Sequence, residues 1–459
     1  MISQFIDREE EIRILQEEYS HLPCFVILYG RRRVGKSRLI EEFSSGKKVF
    51  AYVFPDAVKK VQMQEFKERA ASYFKDKYIK MLETESWFDI FSYISNLIHE
   101  EIVIVFDEFS YAIKSDQRIT SDLQRVWDQS LSRKKVMLIV SGSMLSLMSE
   151  QVLSSASPLY GRRSRDILLQ PLKPWDSLSF FSRKEYGFDA YMLVGGIPPY
   201  LTIASRYSNI ERFVQAEFLD QNGYFYREPY FLLSQELRET KTYFSILSAI
   251  AEGNSTANTI ANYVGMETRK IFPYLQQMLT LHIIRRKVPL MGPDRAGRYF
   301  IADNMVNSWF NLTFKIMSDM IPRTSVDKPE LQSILGKPFE EVVSQYLYNF
   351  RFLPFEVDRI GPWWRKDNEI DLIAMNTKSR SSCFIEVKWR ELGYKEAIKI
   401  LDGLKKKSKE FDWLIANRSE YFGIIAKRII KEDKERLRSN GYIAIDVDDM
   451  TRKAESLNA

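Results

Sequence analysis

The sequence predicts an α/β chain: a parallel sheet clothed by helices comes first, and a second domain mixing strands and helices comes last. Three observations carry that prediction. The apolar runs FVILY (25–29), VFAYVF (49–54), IVIVF (102–106) and VMLIV (136–140) show little polar alternation, as strands covered on both faces require. Longer amphipathic stretches, including 61–81 and 87–99, separate them, giving a βαβα rhythm. The first run leads directly into a glycine-spaced basic loop and then an amphipathic stretch at 36–45, a strand–loop–helix order.

The rest of the chain follows in order. From Pro171 to about 235 aromatic-rich helical patterns replace strands, interrupted by GGIPPY (195–200). Three short helical patterns at 242–252, 256–264 and 267–280 precede two β-like runs, IIRRKVPL and RYFIA, joined by the turn MGPDRAG, the order of a winged helix-turn-helix. IPRTSVDKPE (321–330) reads as a linker. Residues 331–459 again mix strands and helices. The predicted parts are therefore 1–170, 171–238, 239–320 and 331–459.

Composition narrows the function. A length of 459 residues fits two to four domains, and 45% hydrophobic with 28% charged residues excludes disorder as the chain's main character. No apolar run approaches about 18 residues, so no membrane span is expected. The opening MISQFIDREEE lacks a basic stretch followed by an apolar one, which predicts no secretory signal and a cytoplasmic protein. Cys24 and Cys383 stand alone, and His21, His99 and His282 have no ligand partner at i+3 or i+4. Histidine zinc sites and Ser-His-Asp hydrolysis are thereby set aside. Chemistry must run on carboxylates, lysine, arginine and phosphate-binding loops, and the net charge of +6 mildly favours a polyanionic partner.

Gly30-Arg31-Arg32-Arg33-Val34-Gly35-Lys36-Ser37 fits GxxxxGK[ST] without mismatch. Glycines let backbone N–H groups curl around phosphate oxygens, and the helix that follows adds its dipole. These eight residues and Arg38 are expected to hold ATP or ADP, with Lys36 on the β- and γ-phosphates and Ser37 on Mg²⁺. IVIVFDE (102–108) ends a buried strand in Asp107, placed to hold Mg²⁺, and Glu108, placed to polarise the attacking water. Ser141 and Ser143, after VMLIV, can report the γ-phosphate or serve a structural turn. Arg163, in SPLYGRRSRD, can neutralise transferred charge or sit in a solvated basic loop.

FIDREEE (5–11), the P-loop, FDE (106–108), SGS, LYGRR and GGIPPY together resemble the archaeal-type ATPases of the STAND branch of AAA+-related P-loop NTPases. The resemblance spans roughly 1–320. It implies a P-loop core with a helical lid and winged helix, ATP and Mg²⁺ as cofactors, nucleotide contact by Arg8, and Pro198 near the adenine; a nucleotide-dependent homo-oligomer is a separate expectation. Asp7 stands where that family places glycine. In the winged helix, Thr268, Arg269 and Lys270 begin the recognition helix, and Arg285, Arg286, Lys287, Arg295 and Arg298 decorate the wing. Phosphate contact with DNA and use as an intramolecular clamp are both open.

At the C-terminal end, GKPFEEVV (336–343) begins an amphipathic helix with Glu340 and Glu341. NEIDLIAM (368–375) and CFIEVKWR (383–390) place Asp371 and Glu386 on consecutive strands, with Lys388 on the same face as Glu386. Convergent carboxylates beside a lysine suit a hard divalent cation acting on a phosphodiester. The pattern resembles the PD-(D/E)xK restriction-endonuclease-like fold, although Ile370 replaces its proline. That resemblance implies Glu340 as the completing helix acid and a second Mg²⁺ or Mn²⁺ at Asp371 and Glu386. The expectation is an ATP-hydrolysing switch governing a DNA-binding nuclease module. Its rivals are a DNA-binding regulator with an inert C-terminal domain and a signalling scaffold.

Overall fold

A computed structural model describes residues 6–237, 239–317, 323–415 and 417–455. Phe5, the first residue of FIDREEE, and Ile321 and Pro322 of the expected linker lie outside the described residues. The chain divides into two compact units. One holds the described residues up to Leu172 together with Ile197–Pro199, and the other holds Lys173–Gly196 and the residues from Tyr200 onward.

The first unit is built on five strands: β1 (Cys24–Tyr29), β2 (Val49–Val53), β3 (Ile102–Asp107), β4 (Val136–Gly142) and β5 (Arg165–Leu168). They lie in the order β2-β3-β4-β1-β5, and every pairing is parallel. β3 and β4 are buried along their whole lengths, which explains why their sequences carry no alternation. Phe50, Tyr52, Phe54, Phe66, Trp87, Phe91 and Phe106 interlock against one side of the sheet, mostly edge to face. β1 and β3 are neighbours of β4 on opposite sides, so the loop after β1 and the acids ending β3 emerge at the same sheet edge.

In the second unit, residues 239–320 contain the helices Thr240–Ala251, Ala257–Val264 and Thr268–Thr280, then the antiparallel hairpin of β6 (Ile284–Lys287) and β7 (Arg298–Ile301). A 22-residue helix, Lys328–Asn349, follows, capped by the Asp327 carboxylate. It packs on a mixed sheet of β8 (Arg359–Arg365), β9 (Asn368–Asn376), β10 (Ser381–Leu392), β11 (Ser419–Ile429) and β12 (Ile443–Asp446), ordered β12-β11-β10-β9-β8. β8–β9 and β9–β10 are antiparallel, while β10–β11 and β11–β12 are parallel. Leu372 faces Ile385 across the β9–β10 ladder, so Asp371 and Glu386 come next to each other beyond that pair.

Candidate nucleotide site and C-terminal acidic site

The loop between β1 and the Lys36–Ser44 helix is shaped by its glycines. A Cβ on Gly30 would lie 2.6 Å from the Leu169 carbonyl oxygen, and Gly35 holds a left-handed φ of 107° at the helix start. Inside the loop, the Lys36 ammonium donates to the Gly30 and Arg31 carbonyls at 2.9 and 3.2 Å. Burial pushes the Lys36 amine below its ordinary range, opposed by Glu108 and Asp107. The Ser37 hydroxyl donates to Asp107 Oδ2 at 2.7 Å, joining the loop to the end of β3. The other Asp107 oxygen accepts from the Glu108 N–H at 2.9 Å. Glycine cradle, lysine, hydroxyl and carboxylate thus meet at one point. That donor set fits a triphosphate with Mg²⁺, with Lys36 and the loop N–H groups for the phosphates and Ser37 with Asp107 for the ion.

Around this point, the expected site residues take distinct places. Arg8 is buried, and its guanidinium donates to the Gln170 and Val34 carbonyls at 2.6 and 3.4 Å, tying the loop to the segment after β5. Arg31, Arg32, Arg33 and Val34 form the loop itself, with Arg33 at a positive φ of 68°. Arg38 turns to Glu41 and Glu42 of its own helix. Ser141 is fully buried, and its hydroxyl has no hydrogen-bond partner among the described residues. Ser143 is the serine that reaches the acids: its hydroxyl donates to Glu108 Oε2 at 2.5 Å. Arg163 pairs with Asp166 at 2.9 Å, and Pro198 opens the helix Pro198–Ala204 within the short segment grouped with the first unit.

In the second unit, Lys388 Nζ sits between the two strand acids, 3.0 Å from Asp371 and 2.8 Å from Glu386. Asp371 also accepts from the Val387 N–H at 2.9 Å, and Lys407 holds the other Glu386 oxygen at 2.7 Å. Burial and the neighbouring Glu386 raise the Asp371 carboxyl. Burial also raises Glu386, but Lys388 and Lys407 outweigh it and hold that carboxyl below its usual range. Burial pushes Glu340 up to about 7, with Lys337 opposing and Asp371 assisting, so Glu340 shares the field of the strand acids. Among the described residues no group of three or more acidic, histidine or cysteine side chains gathers as a metal cage. Two adjacent carboxylates still suit Mg²⁺, which keeps several waters and commonly takes one or two protein carboxylates. Sequence reasoning misses Lys407, because a lysine in the basic helical run KKKSKE looks like a solvated face, and Lys337, a lone lysine beside a proline with no local sign of its acidic partners.

The wing cations expected to face phosphate are engaged inside the second unit. Arg285 and Lys287 both contact Glu341, at 3.0 and 2.7 Å, Arg286 binds Asp294 and Arg298 binds Glu369 at 2.9 Å.

Comparison with known proteins now bears on this geometry. A sequence family described as "ATPase domain predominantly from Archaea" matches residues 5–203, and one described as "Archaea bacterial proteins of unknown function" matches 313–400. The uncharacterized protein MJECL04 of Methanocaldococcus jannaschii is 33% identical over 443 residues, covering 94% of this chain and 97% of that protein. The chain belongs to this archaeal ATPase family. A second M. jannaschii relative, the uncharacterized ATP-binding protein MJ0423, is 43% identical to this archaeal ATPase over 49 residues, 10% of this chain and 83% of its own. The Walker-type ATPase PABY2304 of Pyrococcus abyssi shares the fold, with a TM-score of 0.50 and 22% identity over 67% of this chain and 96% of that one. Among the described residues of this archaeal ATPase, no helix is long and apolar enough to cross a membrane.

Proposed function

We propose that this archaeal ATPase is a STAND-like, ATP-hydrolysing switch that governs a DNA-binding, nuclease-like C-terminal module. Its working parts fall at 1–170 (core), 171–238 (lid), 239–320 (winged helix) and 331–459 (nuclease-like domain). The Ser37–Asp107 bond at 2.7 Å beside Lys36 supports nucleotide turnover. ATP bound there with Mg²⁺ supplies the phosphoryl group that is cleaved. Lys36 and the loop N–H groups bind its phosphates, Asp107 and Ser37 orient the ion's side of the site, and Glu108 accepts a proton from water, held in place by Ser143. Arg8, Arg38 and Pro198 line the nucleotide side, Ser141 lies beneath it, and Arg163 stabilises developing charge. The protein works in the cytoplasm and assembles with copies of itself when nucleotide is bound.

The observation that carries the C-terminal reading is Lys388 Nζ within 3.0 Å of both Asp371 and Glu386. A lysine bridging two strand carboxylates beside a helix acid is the equipment for hydrolysing a phosphodiester. Asp371 and Glu386 are the residues that would hold a second Mg²⁺ or Mn²⁺, with Glu340 alongside. A rival reading, an ATP-dependent DNA-binding regulator with an inert domain, has its own support: Lys407 and Lys388 already occupy the carboxylate oxygens. Supercoiled plasmid incubated with the protein, ATP and Mg²⁺ or Mn²⁺ decides between them. Nicking by wild type that disappears in Asp371→Ala is the expected result. Nicking that survives the substitution rejects the assigned site, and salt-sensitive DNA binding with no nicking by either protein favours the regulator.

A further inference from the structure

Within the second unit a cleft of about 730 Å³ opens between the β6–β7 hairpin and the Lys328–Asn349 helix. Resting on the phosphodiester reading above, we infer that this cleft receives a single nucleic-acid strand and delivers it to Glu340. Arg285, Lys287 and Arg298 line it from the hairpin, Lys337 and Glu340 from the helix, and Lys315 from beyond the Asn304–Leu312 helix.

Charge is the first reason. Five cationic side chains line the cleft against three carboxylates, Glu252, Glu340 and Glu369. Glu341 pairs with both Arg285 and Lys287 and brings the acids to four, with Arg298 and Lys337 paired to Glu369 and Glu340, so one positive charge is left in surplus. The Arg285 Nε–H is buried without an acceptor among the described residues, a donor still to be used. Lys315 is exposed and forms no ion pair among the described residues. Such a surplus is what a chain of phosphates neutralises.

Size is the second. A volume of about 730 Å³ holds a few unpaired nucleotides, whose splayed bases can enter a cleft as stacked and paired ones cannot. Asn307 and Asn311, four apart on one helical face, add uncharged polar groups for bases or sugars. Destination is the third: Glu340, at the cleft wall, pairs with Lys337 at 3.0 Å, and Lys337 also reaches Glu369 on β9, two residues before Asp371, which is bonded to Lys388. The hairpin is then one wall of a strand channel instead of a reader of duplex grooves.

The test uses the full chain in EDTA, where cleavage is silent, with and without ADP. Fluorescence anisotropy follows a short labelled oligonucleotide as single-stranded DNA, as RNA of the same sequence, and as duplex. Single strands should bind more tightly than duplex, and the DNA-to-RNA ratio identifies the preferred sugar. Lys315→Glu should weaken single-strand binding by about tenfold and reduce the dependence of log K on log salt by ~0.7 for each phosphate no longer neutralised. Asn307→Asp should weaken it in the same direction, with ATP turnover unchanged in both. Wild-type affinity in both variants, a preference for duplex, or no binding at all would each overturn the channel. Failure of the nuclease reading looks different: cleft-dependent binding persists while the plasmid stays intact with Mg²⁺ or Mn²⁺.

Discussion

Glu108 holds a left-handed backbone, φ 51°, a conformation that costs an L-residue on the order of 1–2 kcal/mol. The Ser143 hydroxyl and the turn into the Phe109–Ser115 helix keep it there, aiming its carboxylate beside Asp107. Glu108→Gln is therefore expected to leave nucleotide binding intact and to slow turnover by about 10²-fold or more, since the amide cannot accept a proton. Calorimetric titration with Mg·ATP and phosphate release measure the two halves, and an equal loss of both would remove Glu108 from the catalytic role. Lys36, Ser37 and Asp107 are legible in the sequence because their chemistry is local: a loop spelling and a strand ending in an acid. The sequence points to Ser141 and Ser143 alike and cannot choose between them: Ser141 is still part of β4 and is buried in the sheet, while the turn just beyond it directs Ser143 to the acids.

Among the elements, the long buried strands declare themselves through unbroken apolar runs. β5 does not, being four residues that begin with Arg165 and Asp166. The C-terminal helix begins at Lys328, eight positions before the first expected residue, because Asp327 caps it and proline is tolerated in its first turn. The helix Lys184–Val194 is buried on every side from Tyr186 onward, so it lacks the one-sided stripe that reveals a surface helix. In it, Asp189 accepts from Trp389 Nε1 at 3.1 Å and from Lys427 at 3.1 Å, with Glu185 also near that lysine. Burial pushes its carboxyl up to about 6, against the pull of Lys427. The folded state thus keeps a proton that the unfolded chain has released near pH 4, and stability falls by up to ~3 kcal/mol as pH rises from about 4 to 6. Asp189→Asn retains the acceptor for the indole and removes that slope. Denaturant titrations should show the variant gaining on wild type between pH 4.5 and pH 7.5; a constant difference would mean that Asp189 stays ionised throughout.

For the molecule as a whole, the sequence predicts four parts and the structure forms two units, with the hairpin and the C-terminal sheet in the same one. Leu290, in the hairpin loop, donates its N–H to the Pro362 carbonyl at 2.8 Å and packs against the C-terminal core, while Trp364 Nε1 reaches the Ala296 carbonyl at 3.1 Å. A basic wing looks solvent-facing in sequence; Arg286 finds Asp294 eight residues on, but the acidic partners of Arg285, Lys287 and Arg298 lie 54 to 71 residues further on and become visible only in three dimensions. Glu341→Ala leaves Arg285 and Lys287 without their shared counter-charge in a half-buried setting, and should cost about 1–3 kcal/mol. Thermal unfolding together with faster proteolysis at 288–297 checks it; an unchanged cleavage rate there would mean that apolar packing alone seats the hairpin. β10 has a comparable reach. It carries Glu386 and Lys388 toward the acidic site, while the next residue, Trp389, is anchored by Asp189, 200 positions upstream. A random-mutagenesis screen scoring the C-terminal site would accordingly recover lesions in the Lys184–Val194 helix beside those in β10, and distance along the chain would be a poor guide to which of them touch the reacting atoms.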